Sequence, residues 1–212
     1  MKIVLYGATG TIGRRILEEA LRREHEVTTV VRDRSRLHDL DSEQRLHIVT
    51  GDILEPDSVT ETASGHEVVV SAFGPKFGSE DELSEAARAL VEGVRRSGAS
   101  RLIVVGGAGT LEASPGVVLM DTPEFPEELR PLARAHAEAY NIFRKSDVDW
   151  TYFSPPAVIE PGERTGSFRI GTTRLIVDEL DNSRISAEDY AVALLDEIED
   201  PQFLRERFTA AY

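Results

Sequence analysis

Three glycines at positions 7, 10 and 13, in the run Gly7-Ala8-Thr9-Gly10-Thr11-Ile12-Gly13, carry the first chemistry legible in the chain. A glycine-rich turn from a strand into a helix leaves the first helical N–H groups unpaired at the positive end of the helix dipole. That arrangement holds a diphosphate. Gly7 permits the tight turn, Gly10 admits a ligand close to the backbone, and Gly13 lets the helix lie on the strand. A second group, Arg32 and Arg36, flanks Asp33 some twenty residues further on. There a guanidinium binds a 2′-phosphate in bidentate fashion where a carboxylate would repel it. The pair favours NADP(H), with NAD(H) left open by Asp33. Two further groups, His136 and Tyr140, lie one helical turn apart and are of types able to move protons.

These groups need elements to place them. Residues 2–6 (KIVLY) read as a buried strand, and Ile12, Ile16 and Ala20 with Leu17 and Leu21 form the apolar stripe of the helix that follows. Further strands are expected at 26–32, 45–49, 67–71, 101–105 and 149–154, with a closing one at 205–212. Helices are expected at 57–63, 80–97, 129–146 and 187–198, the third helix of the chain (80–97) ending at Gly98 and the last opening at Ser186. Alternating units of this kind define an α/β doubly wound, mostly parallel sheet, a Rossmann fold of strand order 3-2-1-4-5-6-7, in one domain over residues 1–212 with a small C-terminal extension. The switch point between strands 1 and 4 sets the glycine loop opposite Ala72-Phe73-Gly74, a small-residue turn suited to pass under a ribose and diphosphate.

Bulk properties narrow the classes. With 38 acidic against 24 basic residues the net charge is −14, which argues against nucleic acid as a partner. No apolar run is long enough to span a bilayer and the N-terminus does not read as a signal peptide, so a cytoplasmic location is expected and no membrane partner. The absence of cysteine excludes disulfides, thiolate metal sites and a cysteine nucleophile, and no metal site is expected. The oligomeric state stays open between monomer and homodimer.

The form Gly7-Ala8-Thr9-Gly10-x-x-Gly13 resembles the short-chain dehydrogenase/reductase superfamily in its atypical and extended branches. The resemblance implies that Thr9 and Thr11 donate beside the phosphates, that Asp52 of Gly51-Asp52-Ile53 lies beside the adenine amino group, and that Ile53 packs on the ring. As a plain turn residue, Asp52 would instead end the strand or start the next turn. The superfamily's serine after strand five is replaced by Gly106-Gly107-Ala108-Gly109, and its Tyr-x-x-x-Lys becomes Tyr140 with Arg144, Lys145 standing one place too late. Arginine is a permanent cation and a poor proton relay.

The segments His136-Ala-Glu138, Trp150-Thr-Tyr-Phe-Ser154-Pro155 and Ser186-Ala-Glu-Asp-Tyr190 resemble the NADH-flavin reductase, biliverdin reductase B-like and nitrogen-metabolite-repressor-like type of NAD(P)H-binding domain. That resemblance implies His136 near the nicotinamide as a positioner or near-neutral proton donor, Pro155 over the ring, and a flavin as substrate, not as a tightly held group. An NADPH-dependent reductase of a flavin or similar planar acceptor is the expected function. A non-catalytic NADP(H) sensor and a sugar epimerase or dehydratase are the alternatives. Residues 110–128 and 162–173 are expected at the substrate mouth.

Overall fold

The computed structural model describes residues 1–40 and 43–212, the side chains of 38–40 excepted; the histidine at 38, given no role above, is among these. In chain order the first half comprises β1 (Lys2–Tyr6), α1 (Thr11–Arg22), β2 (Glu26–Val31), β3 (Leu46–Thr50), α2 (Pro56–Ala63), β4 (Val68–Ser71), α3 (Glu82–Ser97) and β5 (Arg101–Val105). Then follow a small hairpin, β6 (Glu112–Ser114) and β7 (Val117–Val118), and α4 (Arg130–Arg144). The chain closes with β8 (Trp150–Ser154), β9 (Val158–Glu160), β10 (Arg169–Gly171), β11 (Arg184–Ser186), α5 (Ala187–Glu199) and β12 (Glu206–Ala211).

The main sheet runs β10-β12-β8-β5-β4-β1-β2-β3. Every pair in it is parallel except β10 with β12. This is the doubly wound order anticipated above, with β8 and β12 as its sixth and seventh strands and an antiparallel strand added at the edge. The central strands β1, β4 and β5 are buried almost throughout, as strands covered on both faces must be.

Alternate strand residues divide between two cores. On the α1/α5 face Ile16, Leu17 and Leu194 pack with Phe153 and Phe208. There Phe153 is stacked between Tyr190 and Phe208, each 3.9 Å away. On the other face Leu83, Leu90 and Phe143 cover Leu102, Trp150 and Tyr152. Among the described residues no helix is long and apolar enough to cross a membrane.

Local signals act as the sequence requires. Gly98 takes φ +77° and closes α3, and the Ser186 Oγ accepts the Asp189 N–H at 2.9 Å to cap α5. Asp189 also accepts from the Gly166 N–H at 2.7 Å and the Tyr212 hydroxyl at 2.8 Å. Glu19, 4% exposed, takes two hydrogen bonds from Arg164, both 2.8 Å, and one from Arg23, also 2.8 Å. Residues 162–167 are thereby strapped across α1 and α5, and the chain then enters β10.

The 110–128 segment is more ordered than its composition suggests. It forms the β6–β7 hairpin, and Glu112 joins residues 173–175 by backbone bonds of 2.8 and 3.0 Å. Histidines given no role have structural ones. His25 bridges the N-terminal ammonium and Glu199, and His66 bonds Thr28 at 2.8 Å.

Candidate nucleotide site

At the carboxyl ends of β1, β2, β3 and β4 lies a crevice of about 730 Å³. One wall is the glycine loop. Gly7 adopts φ +84°, and a methyl group on it would stand 2.3 Å from the Ala72 carbonyl oxygen. Gly13 is pressed on Gly7, since a methyl there would lie 2.1 Å from the Gly7 oxygen. Gly10 differs: its nearest protein neighbour to such a methyl is 3.4 Å off, so the space beside it is left for something else. Gly10 is also the N-cap of α1 and offers no side-chain cap. The first-turn N–H groups beyond it therefore face outward with the helix dipole behind them.

Of the residues singled out from sequence, Gly7, Thr9, Gly10, Thr11, Ile12 and Gly13 line this crevice. So do Arg32, Arg36, Asp52, Ile53, Ala72, Phe73 and Gly74. Arg32 and Arg36 are exposed at the mouth beyond β2. Asp33 lies between them, and its carboxylate accepts the Ser35 hydroxyl at 2.8 Å and the Ser35 N–H at 3.0 Å. The hydroxyl bond and the N–H bond hold it below the usual carboxylate range. Asp52 serves the turn after β3, its Oδ1 accepting the Leu54 N–H at 3.0 Å. Its own N–H donates to the Ser58 hydroxyl at 2.9 Å, so the turn-forming role is realised while the residue also lines the crevice.

Lys76, not singled out from sequence, joins the opposite wall after Gly74. Its signal was available: it is one of three lysines and follows the turn at the end of the fourth strand.

Other residues singled out from sequence lie outside this crevice. Pro155 is buried at the end of β8 and does not line the crevice. Neither do residues 110–128 or 162–173. Tyr140 is half-buried in an aromatic cluster, 4.8 Å from the Tyr152 ring and 5.9 Å from Trp150, with the Arg207 guanidinium 5.0 Å from its centroid.

His136 lines a second cavity of about 10 Å³ together with Ser71, Val105 and Tyr152, and Phe73 is common to both cavities. Burial pushes the imidazole down to about 4. The expectation of a near-neutral proton donor is corrected accordingly, because at neutral pH the ring is the neutral imidazole and holds no imidazolium proton to give.

The missing serine also finds its physical reason. A methyl on Gly106 would meet the Tyr152 ring at 2.1 Å, and one on Gly107 would meet His136 at 2.8 Å. Gly106 and Gly107 must lack side chains to let those two rings approach.

Comparisons with known proteins bear on the family and the fold. A Bacteroides thetaiotaomicron protein proposed as an epimerase is 42% identical, with a TM-score of 0.93 over 100% of this chain and 96% of that one. A Streptococcus pneumoniae protein proposed as an NADH-flavin reductase is 32% identical, with a TM-score of 0.89 over 100% and 99%. The 3-diazoavenalumate denitrifying reductase of a Streptomyces species is 30% identical over 84% of this chain and 62% of its own. The family described as NAD(P)H-binding matches residues 7–201. The chain belongs to that NAD(P)H-binding family, and its glycine loop, Arg32 and Asp52 stand on the walls of one crevice.

Proposed function

We propose that the protein is an NADPH-dependent reductase of a flavin or comparable planar acceptor. The observation that carries this reading is the open space beside Gly10, facing uncapped helix N–H groups, in one crevice with Arg32, Arg36 and Lys76. A diphosphate fits such a cradle, and the guanidiniums suit a 2′-phosphate. When bound, the dihydronicotinamide supplies a hydride, which an oxidised flavin takes up together with a proton from water.

The chain's own contribution is binding and orientation. The loop at residues 7–13 and Lys76 fix the phosphates, and Asp52 with Ile53 frames the adenine end. Phe73 separates the crevice from the cavity that His136 lines. Hydride transfer between stacked rings draws most of its acceleration from such positioning, so the lost tyrosine–lysine pair is tolerable. The similarity to the S. pneumoniae protein supports the flavin. The epimerase reading needs a free tyrosine acid, whereas Tyr140 is packed among Trp150, Tyr152 and Arg207.

The test is purified protein with NADPH and FMN, FAD or a quinone, followed by the NADPH absorbance. Turnover with FMN is the expected result. Tight NADPH binding without turnover on any acceptor would replace this reading by that of a nucleotide sensor.

A further inference from the structure

Arg207 is a half-buried cation without a counter-ion. Its strand neighbour Phe208 belongs to the α1/α5 core, so Arg207 projects to the other face of the sheet, where it lies on Tyr140 of α4. Among the described residues it forms no ion pair. Its two acceptors are neutral: Nη1 donates to the Thr110 carbonyl oxygen at 3.2 Å and to the Thr110 hydroxyl at 2.8 Å. Nε is buried with no partner, while Nη2 makes no hydrogen bond and is not sealed from solvent. Two other inward-pointing arginines are served differently. Arg101 has Glu197 at 2.7 Å, and Arg23 has Glu19, Asp196 and Glu199, each at 2.8 Å. A cation withdrawn from water ordinarily meets an acid, and this chain has 38 acids against 24 bases from which to supply one.

A second cation shares the place. Arg144, the last residue of α4, sets its guanidinium 5.7 Å from the Tyr140 ring centroid, against 5.0 Å for Arg207. It is exposed and also forms no ion pair among the described residues. Stacking on a ring offsets part of the cost of drying a guanidinium but supplies no net negative charge. Burial pulls Arg207 below its ordinary value, and Arg144 pulls in the same direction.

We infer that Arg207 and Arg144, gathered on Tyr140, form an anion site that takes a phosphate monoester carried by the acceptor. Two cations without an acid suit a group of charge about −1.5 to −2, and guanidinium N–H groups suit its oxygens. None of the three residues lines the nucleotide crevice, so the dinucleotide's own phosphates have their place elsewhere. Through Thr110 the site adjoins the segment that leaves the carboxyl end of β5, the side of an open α/β sheet on which ligands bind. Further along the same face Ser154 and Thr209, partners in the β8–β12 register, have buried hydroxyls that likewise lack a protein partner. The inference rests on the reductase reading for the acceptor, but the anion site itself does not.

A titration reads the site directly. In ¹⁵N-labelled full-length protein with NADP⁺ in excess, the Arg207 Nε–Hε resonance is assigned by its loss in Arg207→Gln. FMN should shift it saturably, whereas riboflavin, the same flavin without the phosphate, should leave it in place. Inorganic phosphate should need about tenfold higher concentration for the same shift. No response to FMN or to phosphate overturns the site. A response to FMN no stronger than that to inorganic phosphate or to riboflavin overturns the assignment to the acceptor's phosphate.

Kinetics read the same group. Wild-type kcat/KM for FMN should exceed that for riboflavin about tenfold, roughly one charge-assisted hydrogen bond. Arg207→Gln should bring this ratio toward unity, and Arg144→Gln, at an exposed position, should lower it in part. Arg88→Gln, which removes an exposed arginine of α3 away from the site, should leave the ratio as it is. A wild-type ratio near one, or a ratio indifferent to both Arg207→Gln and Arg144→Gln, overturns the inference. If Arg207→Gln does not fold, Arg144→Gln decides the point. Absence of turnover with every flavin defeats the reductase reading and leaves the anion site to the titration.

Discussion

Gly13 lies so close over Gly7 that no side chain fits between them, since even a methyl group would stand 2.1 Å from the Gly7 carbonyl oxygen. The loop's three glycines therefore separate by mutation. Gly13→Ala should lower stability by about 1–3 kcal/mol through overpacking. Gly10→Ala should cost about 1 kcal/mol, because alanine is a poorer N-cap than glycine, yet weaken NADPH binding at least tenfold by filling the space beside the helix N-terminus. Thermal melts and nucleotide titrations of the two variants check this, and equal affinity loss at matched stability would defeat it.

Arg32 and Arg36 stand on the wall beyond β2, and Lys76 stands on the opposite one after Gly74. Arg32→Ala or Arg36→Ala should weaken NADPH about tenfold, near 1.4 kcal/mol, and leave NADH unchanged. Lys76→Ala should weaken both nucleotides alike and make binding less salt-dependent. Fluorescence titrations with the two nucleotides at low and high salt distinguish the roles.

The α1–α5 strap predicts an acid limb. Burial raises Glu19, but the hydrogen bonds from Arg164 and Arg23 outweigh it and the carboxyl stays below its ordinary 4.5. A depressed carboxylate stabilises the fold above the unfolded value and loses that stabilisation as pH falls through the folded one. Melting temperature should therefore drop below about pH 4.5. Glu19→Gln should lower it at pH 7 by about 4–8 °C, on the order of 2 kcal/mol, and flatten the acid limb.

His136 gives a second pH signature with its own window. Its folded value of about 4 lies under the ordinary 6.5, so from pH 6.5 down to 4 only the unfolded chain gains that proton. Stability should decline over this interval, and His136→Gln should remove the slope. The ring's ¹H resonances should stay flat between pH 8 and 5; a midpoint near 6.5 would contradict the burial.

How far the sequence led can be argued from individual residues. The run at 2–6, the glycine loop and the cap at Ser186 were legible because their causes are local: apolar continuity, spacing, and a hydroxyl three residues ahead of an N–H. The edge strand β10 was not, because three residues carry no period and their pairing with β12 is a long-range event. The low basicity of His136 was hidden for the same reason, since Tyr152 of β8 and Gly107 of the loop after β5 approach it from elsewhere in the chain. Asp52 was read both ways: its turn role is seen in the Leu54 N–H bond, and the residue also lines the crevice.

The sheet's last strand has a bearing on how such molecules meet. β10 runs against its neighbour, spans only residues 169–171, and has Gly166 in a left-handed turn just ahead of it. A rim so brief gives a visiting strand almost no ladder to extend. Self-association of this chain at that rim would have to be written in side chains rather than in main-chain amides.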